Sequence, residues 1–261
     1  IALLFVLLIG RLIYFSIFKN GIYKRQVLSQ QNYSSETLPY KRGDILDRDG
    51  NTLATSQKMY TLVLEPKNIL RSEEVQKSTI DALHKYMKLD EDKLLKFIKR
   101  HKDSYYSVYR EELSYSQIAD LKDFIASDKA ENVSGIVFNE KYKRRYPNQS
   151  LASQVIGFVS EGTIGTGGIE QYYNSTLSGV DGRKYKYLNE ELEQDSSIVE
   201  PENGKTVVTT IDSNIQKLAE DQLSKFEKKY GSKGSSILVM NPNNGEIYAM
   251  ANSTSYNLES P

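Results

Sequence analysis

The sequence predicts a single membrane helix followed by an α+β region. Three observations indicate this class: an apolar run over residues 1–18, alternating strand-like and helix-like segments through the middle, and a strand–helix–hairpin pattern near the end. With 261 residues, the chain is long enough for one large domain or two small ones. We divide it into a membrane helix (1–18), a middle domain (19–203) and the start of a further domain (204–261).

The first segment, IALLFVLLIGRLIYFSIF, carries one charge, Arg11. As a helix it would extend roughly 27 Å, close to the ~30 Å thickness of the hydrocarbon core of a bilayer. A buried core helix is the alternative. The cations Lys19, Lys24 and Arg25 follow directly, and the positive-inside rule alone would place that side in the cytoplasm. Because the sequence starts within this run without a Met, and stops soon after a hairpin, we expect an internal piece of a longer protein.

The composition excludes several classes of protein and site. Lysine plus arginine and aspartate plus glutamate are both 34, and this zero net charge argues against a nucleic-acid binder. The 26% charged and 39% hydrophobic residues exclude a wholly disordered chain and a polytopic membrane protein. The absence of cysteine excludes disulfides and thiolate metal sites, and only His84 and His101 could supply imidazole. The sequence therefore predicts no cofactor and no metal site.

The middle domain shows strand, turn and helix signals in turn. Asp49-Gly50 predicts a hairpin turn within residues 44–54. The charged stretch over 183–202 is typical of a solvated face or an exposed ribbon. The other predicted elements are a strand over 59–65, a helix over 73–100, a helix opened by the capping box Ser114-Tyr115-Ser116-Gln117, and a strand over 136–139.

A new pattern begins at Gly204. Residues 206–211 predict a strand, and Asp212 is a good N-cap for the apolar helical face that follows. Gly231 is placed to end this helix. The turn at 241–245, which contains Pro, Asn and Gly, then joins two strands into a hairpin. We place a domain boundary near Gly204.

Two motifs in the first 160 residues resemble those of class B penicillin-binding proteins. Residues 42–54, RGDILDRDGNTLA, match the family's first box, R-G-x-I-x-D-R-x-G-x-x-L-A. Residues 145–159, RYPNQSLASQVIGFV, resemble its R-x-Y-P-x-G-x-x-A box. Gln149 stands where the family usually has Gly, and Gln154 stands where His is common.

Two further motifs follow in the family's order. Residues 165–182, GTGGIEQYYNSTLSGVDG, resemble the G-x-x-G-[IL]-E box and the Y-N, L-x-G and G that follow it. Residues 209–223 and 236–256 resemble the opening of the transpeptidase domain. The resemblance thus extends over essentially the whole chain. The compact spacing between Arg42 and Gly204 resembles the division and sporulation branch more than the elongation branch.

The resemblance implies a fold, a location and a set of partners. It implies one membrane span, an elongated non-catalytic pedestal or dimerisation domain, and the first helix and hairpin of a serine β-lactamase-like domain that cross-links peptidoglycan stem peptides. The bulk of the chain would lie on the extracytoplasmic side of a bacterial cell membrane. This orientation is opposite to the one that the basic residues after the span would predict by themselves. The implied partners are a polytopic glycan polymerase and other cell-wall synthesis proteins, the membrane and peptidoglycan. β-Lactams would bind only the missing C-terminal domain.

The motifs also imply a set of structural residues. We interpret their charged members as a network of salt bridges and hydrogen bonds rather than as an acid–base centre, because a guanidinium can bind a carboxylate at two points. We predict that Glu170 pairs with Arg42 or Arg48. The glycines would serve turns or close packing. The full set is Arg42, Gly43, Asp47, Arg48, Gly50, Arg145, Pro147, Gly157, Gly168, Glu170 and Gly179.

We expect the catalytic residues of the family to lie outside this chain. The chemistry needs a Ser followed one helical turn later by Lys, then a Ser-x-Asn and a Lys-Thr-Gly. The only Ser-x-x-Lys is residues 16–19, at the end of the apolar run. Residues 255–257 fit Ser-x-Asn but precede any nucleophile, and residues 205–207 lack the Gly. The runner-up interpretation is a membrane-anchored scaffold or binding protein of the cell-wall machinery that has no catalytic activity.

The chain is rich in tyrosine, with 19 residues of this type. Tyr105, Tyr106 and Tyr109 lie close together in the sequence. They could form a surface that stacks against sugars, but packing against a strand is the favoured interpretation.

Overall fold

The computed structural model describes residues 34–160, 164–188 and 194–261. The predicted membrane helix over residues 1–18 lies outside them. Within the described ranges, no helix combines the length and the apolar character that crossing a bilayer requires. The described parts mix helices with mainly antiparallel strands, so the predicted α+β class is confirmed for them.

The elements are named here in chain order. The strands are β1 (Ser34–Leu38), β2 (Ile45–Leu46), β3 (Thr52–Leu64), β4 (Ser107–Leu113), β5 (Ile136–Arg145), β6 (Phe158–Ser160), β7 (Ile164–Thr166), β8 (Gly182–Leu188), β9 (Gln194–Val199), β10 (Val207–Val208), β11 (Ser236–Met240) and β12 (Ile247–Asn252). The helices are α1 (Pro66–Ile69), α2 (Glu73–Met87), α3 (Glu91–Arg100), α4 (Tyr115–Ile125), α5 (Ser153–Ile156), α6 (Gly168–Tyr172), α7 (Asn174–Leu177) and α8 (Ser213–Tyr230). A short 3-10 turn, Asp128–Ala130, follows α4.

The chain folds into two compact units. The inserted unit is Ser56–Arg144, and the motif unit contains the described residues before and after it. The limits of the inserted unit fall within β3 and one residue before the end of β5. This division differs from the boundary near Gly204, which stays a prediction.

The inserted unit is built on antiparallel strands. β4 and β5 both pair with β3, with Tyr60 opposite Leu113 and Val63 opposite Val108. The helices α2, α3 and α4 contribute apolar side chains to the same core as β3. The most deeply buried members of that core are Leu62, Leu64, Ile69, Leu83, Leu94, Ile98, Leu113, Ile118 and Leu121. The predicted capping box is present, since Gln117 Oε1 accepts the Ser114 N–H at 2.8 Å.

The continuous helix predicted over residues 73–100 is wrong, because the structure has two helices there. Lys88 ends α2 in the left-handed conformation, with φ +52°, and its N–H donates to His84 O at 2.9 Å. Asp90 then caps α3 by accepting the Lys93 N–H at 2.9 Å. The acids that follow Asp90 favour a helix start, because they complement the positive end of the helix dipole. The apolar periodicity continues across the break and therefore did not reveal it.

Replacing Lys88 with glycine should raise the free energy of unfolding by about 0.5–1 kcal/mol. The left-handed backbone costs a residue with a side chain about 1–2 kcal/mol, and part of this gain is offset by the greater freedom of glycine in the unfolded chain. Ala126→Gly is the matched control, because Ala126 ends α4 with φ −77° and carries no such strain. Urea titration should show Lys88→Gly unfolding at higher urea than wild type. A lower midpoint for Lys88→Gly than for Ala126→Gly would contradict the argument.

The motif unit contains several small sheets. β10 pairs in parallel with β2, and β2 pairs antiparallel with the start of β3. The charged stretch predicted as a solvated face or ribbon contains β8 and β9, which pair antiparallel, and β1 joins the other edge of β8. β6 and β7 form a short hairpin. The core of the unit is drawn from the motif segments and the end of the chain: Ile45, Leu53, Ala54, Tyr146, Ala152, Ile156, Leu177 and Leu258.

The helix and hairpin predicted after Gly204 are confirmed. Asp212 Oδ1 accepts the N–H groups of Asn214 and Ile215 at 3.0 and 3.1 Å, which begins α8. Gly231 ends it with φ +66°. β11 and β12 pair antiparallel, and their inner side chains pack with buried residues of α8.

Candidate functional site

A buried ion pair lies at the centre of the motif unit. Arg42 is 3% exposed, and Glu170, in the first turn of α6, is 0% exposed. Arg42 Nε donates to Glu170 Oε2 at 2.8 Å, and Arg42 Nη2 lies 2.8 Å from the same oxygen. The predicted pairing of Glu170 with an arginine of the first motif is therefore confirmed for Arg42, across 128 residues of sequence.

Neighbouring polar groups complete this network. Arg42 Nη1 donates to Asn174 Oδ1 at 3.0 Å and to Ser178 Oγ at 2.8 Å. Arg42 Nη2 also donates to the main-chain oxygen of Glu170 at 3.0 Å. The Tyr146 hydroxyl donates to Glu170 Oε1 at 3.3 Å. The network thus joins the first, second and third motifs in one buried cluster.

A second cluster forms around Asp47, which is 0% exposed. Its Oδ1 accepts the N–H groups of Asp49 and Asn51 at 2.9 and 2.8 Å. Its Oδ2 accepts from Asn51 Nδ2 at 2.9 Å and from Ser213 Oγ at 2.6 Å. Burial alone would raise the pKa of Asp47, but the hydrogen bonds from Ser213, Asn51 and Asp49 outweigh burial and lower the pKa to about 2. The carboxylate therefore holds the turn at Gly50 and the first residue of α8 together.

The Asp47 cluster should make folding sensitive to acid. The pKa of Asp47 in the folded chain is about 2, below its usual 3.8. The ionised carboxylate therefore stabilises the fold fully above pH ~4, and this contribution is lost as the pH falls toward 2. We expect wild type to lose roughly 2 kcal/mol more stability over that interval than Asp47→Asn does. Urea midpoints at several pH values measure the difference, and parallel pH profiles for the two proteins would contradict it.

Arg48 has a different role from Arg42. The guanidinium carbon of Arg48 lies 4.4 Å from the centre of the Tyr248 ring, and the main-chain N–H of Arg48 donates to Ile211 O at 2.9 Å. A guanidinium above an aromatic face is attracted by the electrons of the ring. Arg48 thus connects the first motif to β12 rather than to Glu170.

The second motif is bound by the end of the chain. Arg145 Nη1 lies 3.0 Å from Glu259 Oε2, and Glu259 Oε1 accepts the Tyr146 N–H at 2.7 Å. Pro147 opens the turn that follows β5. Gln149 in this turn has φ +52°, a conformation that favours glycine, the residue that the resemblance led us to expect there.

Most of the motif glycines, and Gly204 outside the motifs, allow close approach of backbones. A Cβ on Gly43 would lie 2.0 Å from Lys205 O, and a Cβ on Gly204 would lie 1.7 Å from Leu177 O. Gly50 differs, because the space around it is open and its φ of +87° serves the turn. At the three remaining predicted glycines a Cβ would also meet a main-chain oxygen within 2.2 Å: Gly157, Gly168 and Gly179.

Sequence reasoning missed the neutral members of these clusters. Ser178 and Ser213 were not singled out, and Asn174 entered only as the Asn of the Y-N pair in the third motif, although each binds a predicted charged residue. It also missed Gln216, which is 0% exposed in α8 and exchanges hydrogen bonds with the N–H and C=O of Met250 at 2.8 and 3.1 Å. Gln216 stands on the apolar stripe of its helix, and a polar residue at such a position is a signal of a buried partner.

The two histidines both bond to main-chain oxygens. Nδ1 of His84 lies 2.9 Å from Leu89 O, and Nδ1 of His101 lies 2.9 Å from Phe97 O. Within the ranges that the structure describes, no group of three or more His, Cys, Asp and Glu side chains is arranged to hold a metal ion.

Comparison with known proteins adds three findings. The family model described as "Penicillin-binding Protein dimerisation domain" matches residues 37–209. Stage V sporulation protein D of Bacillus subtilis is 28% identical over 95% of this chain and 39% of its own length. The probable peptidoglycan D,D-transpeptidase PenA of Neisseria meningitidis is 28% identical over 100% of this chain and 44% of its own. This chain therefore spans only about two fifths of the length of these relatives.

A solved structure shares the fold. The crystal structure of penicillin-binding protein 2X from Streptococcus thermophilus superposes with a TM-score of 0.72 at 24% identity. The match covers 87% of this chain and 36% of that chain. At this identity the likeness concerns the fold alone.

Proposed function

Because this chain belongs to the penicillin-binding protein dimerisation domain family and is homologous to class B penicillin-binding proteins, we propose that it is the non-catalytic pedestal of such an enzyme. The complete protein would be a serine-type D,D-transpeptidase that cross-links peptidoglycan stem peptides. In that protein, residues 204–261 would begin the transpeptidase domain. The names and lengths of the relatives support this proposal.

One observation carries the pedestal role, namely the burial of the charged motif. An acid or base in catalysis must come within hydrogen-bond reach of its substrate. Arg42 and Glu170 are instead enclosed, at 3% and 0% exposure, and they bind each other and their neighbours. The motif thus fits a structural role. It holds distant segments together and so provides a rigid support for the domain that follows.

The location and partners are part of the same proposal. We propose that residues 1–18 anchor the protein as a single span and that the bulk of the chain lies outside the cell membrane. The apolar run supports the span, and the family resemblance supports the orientation, which the positive-inside rule alone would reverse. The span and the pedestal would contact the polytopic glycan polymerase of the same pathway. β-Lactams would react only with the downstream domain.

A fluorescent penicillin tests the proposal. We expect residues 1–261 to form no covalent adduct, because an ordered set of Ser-x-x-Lys, Ser-x-Asn and Lys-Thr-Gly is absent from the sequence. The full-length product of the gene, which we expect to continue past Pro261, should form a covalent adduct with the fluorescent penicillin. Replacing the serine of its downstream Ser-x-x-Lys with alanine should abolish this labelling. A labelled band that maps within residues 1–261 would contradict the pedestal role. A stop codon directly after Pro261 would favour the scaffold instead.

A further inference from the structure

Two tyrosines of the inserted unit are exposed next to a group of cations. Tyr105 is 57% exposed and Tyr106 is 61% exposed. Strand packing, the interpretation favoured from the sequence, is therefore wrong for these two. It holds for Tyr109, whose ring meets the Phe97 ring edge-on at 5.0 Å and packs on the core of the unit. The exposed pair is thus available to a ligand.

Both exposed tyrosines are held by polar contacts. Lys67 Nζ lies 4.6 Å from the centre of the Tyr105 ring. Asn139 Nδ2 donates to the Tyr106 hydroxyl at 3.0 Å. Ser104 Oγ accepts the Tyr106 N–H at 3.1 Å and donates to Tyr106 O at 2.8 Å. A ligand that stacks on these rings would therefore meet side chains that are already ordered, which lowers the entropic cost of binding.

The loop that carries the tyrosines is rich in positive charge. Arg100, His101 and Lys102 line a concavity of about 350 Å³ together with Asp103 and Ser104. The main-chain N–H of Lys67 donates to Ser104 O at 3.0 Å, and Lys67 Nζ lies over the Tyr105 ring, so a further cation stands at the same loop. We call residues 100–106 together with Lys67 the 100–106 surface. It carries three permanent cations and one acid.

We infer that the 100–106 surface binds an un-cross-linked peptidoglycan strand. The choice of peptidoglycan, rather than another glycan with carboxylates, rests on the proposed function. The apolar C–H face of a sugar ring packs on an exposed tyrosine ring, and the phenol hydroxyl can hydrogen-bond to the sugar. The stem-peptide carboxylates would accept charge-assisted hydrogen bonds from Arg100 and Lys102.

A glycan fits this surface better than a protein partner does. The energetic centre of a protein interface is an apolar cluster that excludes water. Residues 100–106 read RHKDSYY and include no aliphatic side chain. Aromatic rings interleaved with cations suit a ligand that alternates apolar ring faces with anionic groups.

Binding to fluorescently labelled, un-cross-linked peptidoglycan strands tests the inference. The chain is purified in detergent micelles, and the dissociation constant is measured by fluorescence anisotropy. The double variant Tyr105→Ala/Tyr106→Ala should bind the strands about tenfold more weakly. Tyr172→Ala is the matched control, because Tyr172 is 79% exposed in the motif unit, and it should bind like wild type. Circular dichroism checks that both variants fold.

A second set of variants tests the role of the cations in binding. Arg100→Gln/Lys102→Gln should also weaken binding about tenfold, and wild type should lose affinity similarly for strands whose carboxylates are amidated. Lys217→Gln/Lys225→Gln is the control, with the same charge change on α8. Equal binding by the double tyrosine variant and Tyr172→Ala would overturn the inference. Equal affinity for native and amidated strands, or tighter binding of a phosphate-rich wall polymer or of a cell-wall protein at these residues, would also overturn it.

This experiment is independent of the penicillin test. If the longer protein fails to label with penicillin but the strands still bind through the 100–106 surface, the transpeptidase proposal fails and the binding surface stands. If labelling succeeds while the tyrosine and arginine variants bind strands like wild type, the function stands and the inference about this surface fails.

Discussion

Replacing Glu170 with alanine should lower the free energy of unfolding by about 3–5 kcal/mol, because removing one partner of a buried ion pair leaves the other charge without compensation. Arg42 is 3% exposed and cannot regain water where it lies. Its bonds to Asn174 and Ser178 are to neutral groups and do not replace the lost carboxylate. Urea denaturation followed by circular dichroism measures the loss.

The chain offers a matched control for this variant. Lys141 and Glu111 form an ion pair of similar length, 2.9 Å, but their side chains are 41% and 56% exposed. Glu111→Ala should therefore cost only about 0–1 kcal/mol. Glu170→Gln keeps most of the shape and should fall between the two. If Glu170→Ala proved no more costly than Glu111→Ala, the buried network would not hold the motifs together.

Replacing Gly204 with alanine should cost more than about 3 kcal/mol, because two segments of backbone leave no room for a side chain. The added Cβ would lie 1.7 Å from Leu177 O and 2.8 Å from Gly43 N. These two atoms are themselves joined by a hydrogen bond of 2.8 Å, so the methyl group would separate them. The Gly204 N–H, which donates to Lys41 O at 2.9 Å, would also be displaced.

Gly234→Ala is the control for this steric argument. A Cβ there would meet only Ser253 Oγ, at 4.0 Å, so we expect a change within about 0.5 kcal/mol. The same pair of variants also bears on the predicted domain boundary. If Gly204→Ala were as well tolerated as Gly234→Ala, the backbone at Gly204 would be free to move, as in a linker between domains. A large loss would mean that residue 204 is packed into the motif unit.

Local signals in the sequence were sufficient for several elements. The helix from Ser213 to Tyr230 begins after its predicted cap, Asp212, and ends at Gly231. These features depend on hydrogen bonds between residues a few positions apart, so the sequence carries them directly. The break at Lys88 is different, because a lysine is not a typical end signal and the apolar pattern continues past it. Local sequence signals also could not predict which strands pair. β10 lies parallel to β2, which is more than 150 residues earlier in the chain.

The sequence by itself determined the family, through four ordered motifs, and the ion pair of Glu170 with an arginine of the first motif. The pairing was predicted from the charged residues of the motifs, because a guanidinium can bind a carboxylate at two points. Only the tertiary structure decided that the arginine is Arg42 and that Asn174, Ser178 and Ser213 complete the two clusters. Unlike Gln216, which stands on the apolar stripe of its helix, these three neutral side chains give no local sign of a partner, because each could equally be hydrated. Their partners are set by which donor and acceptor atoms the fold brings within about 3 Å of each other.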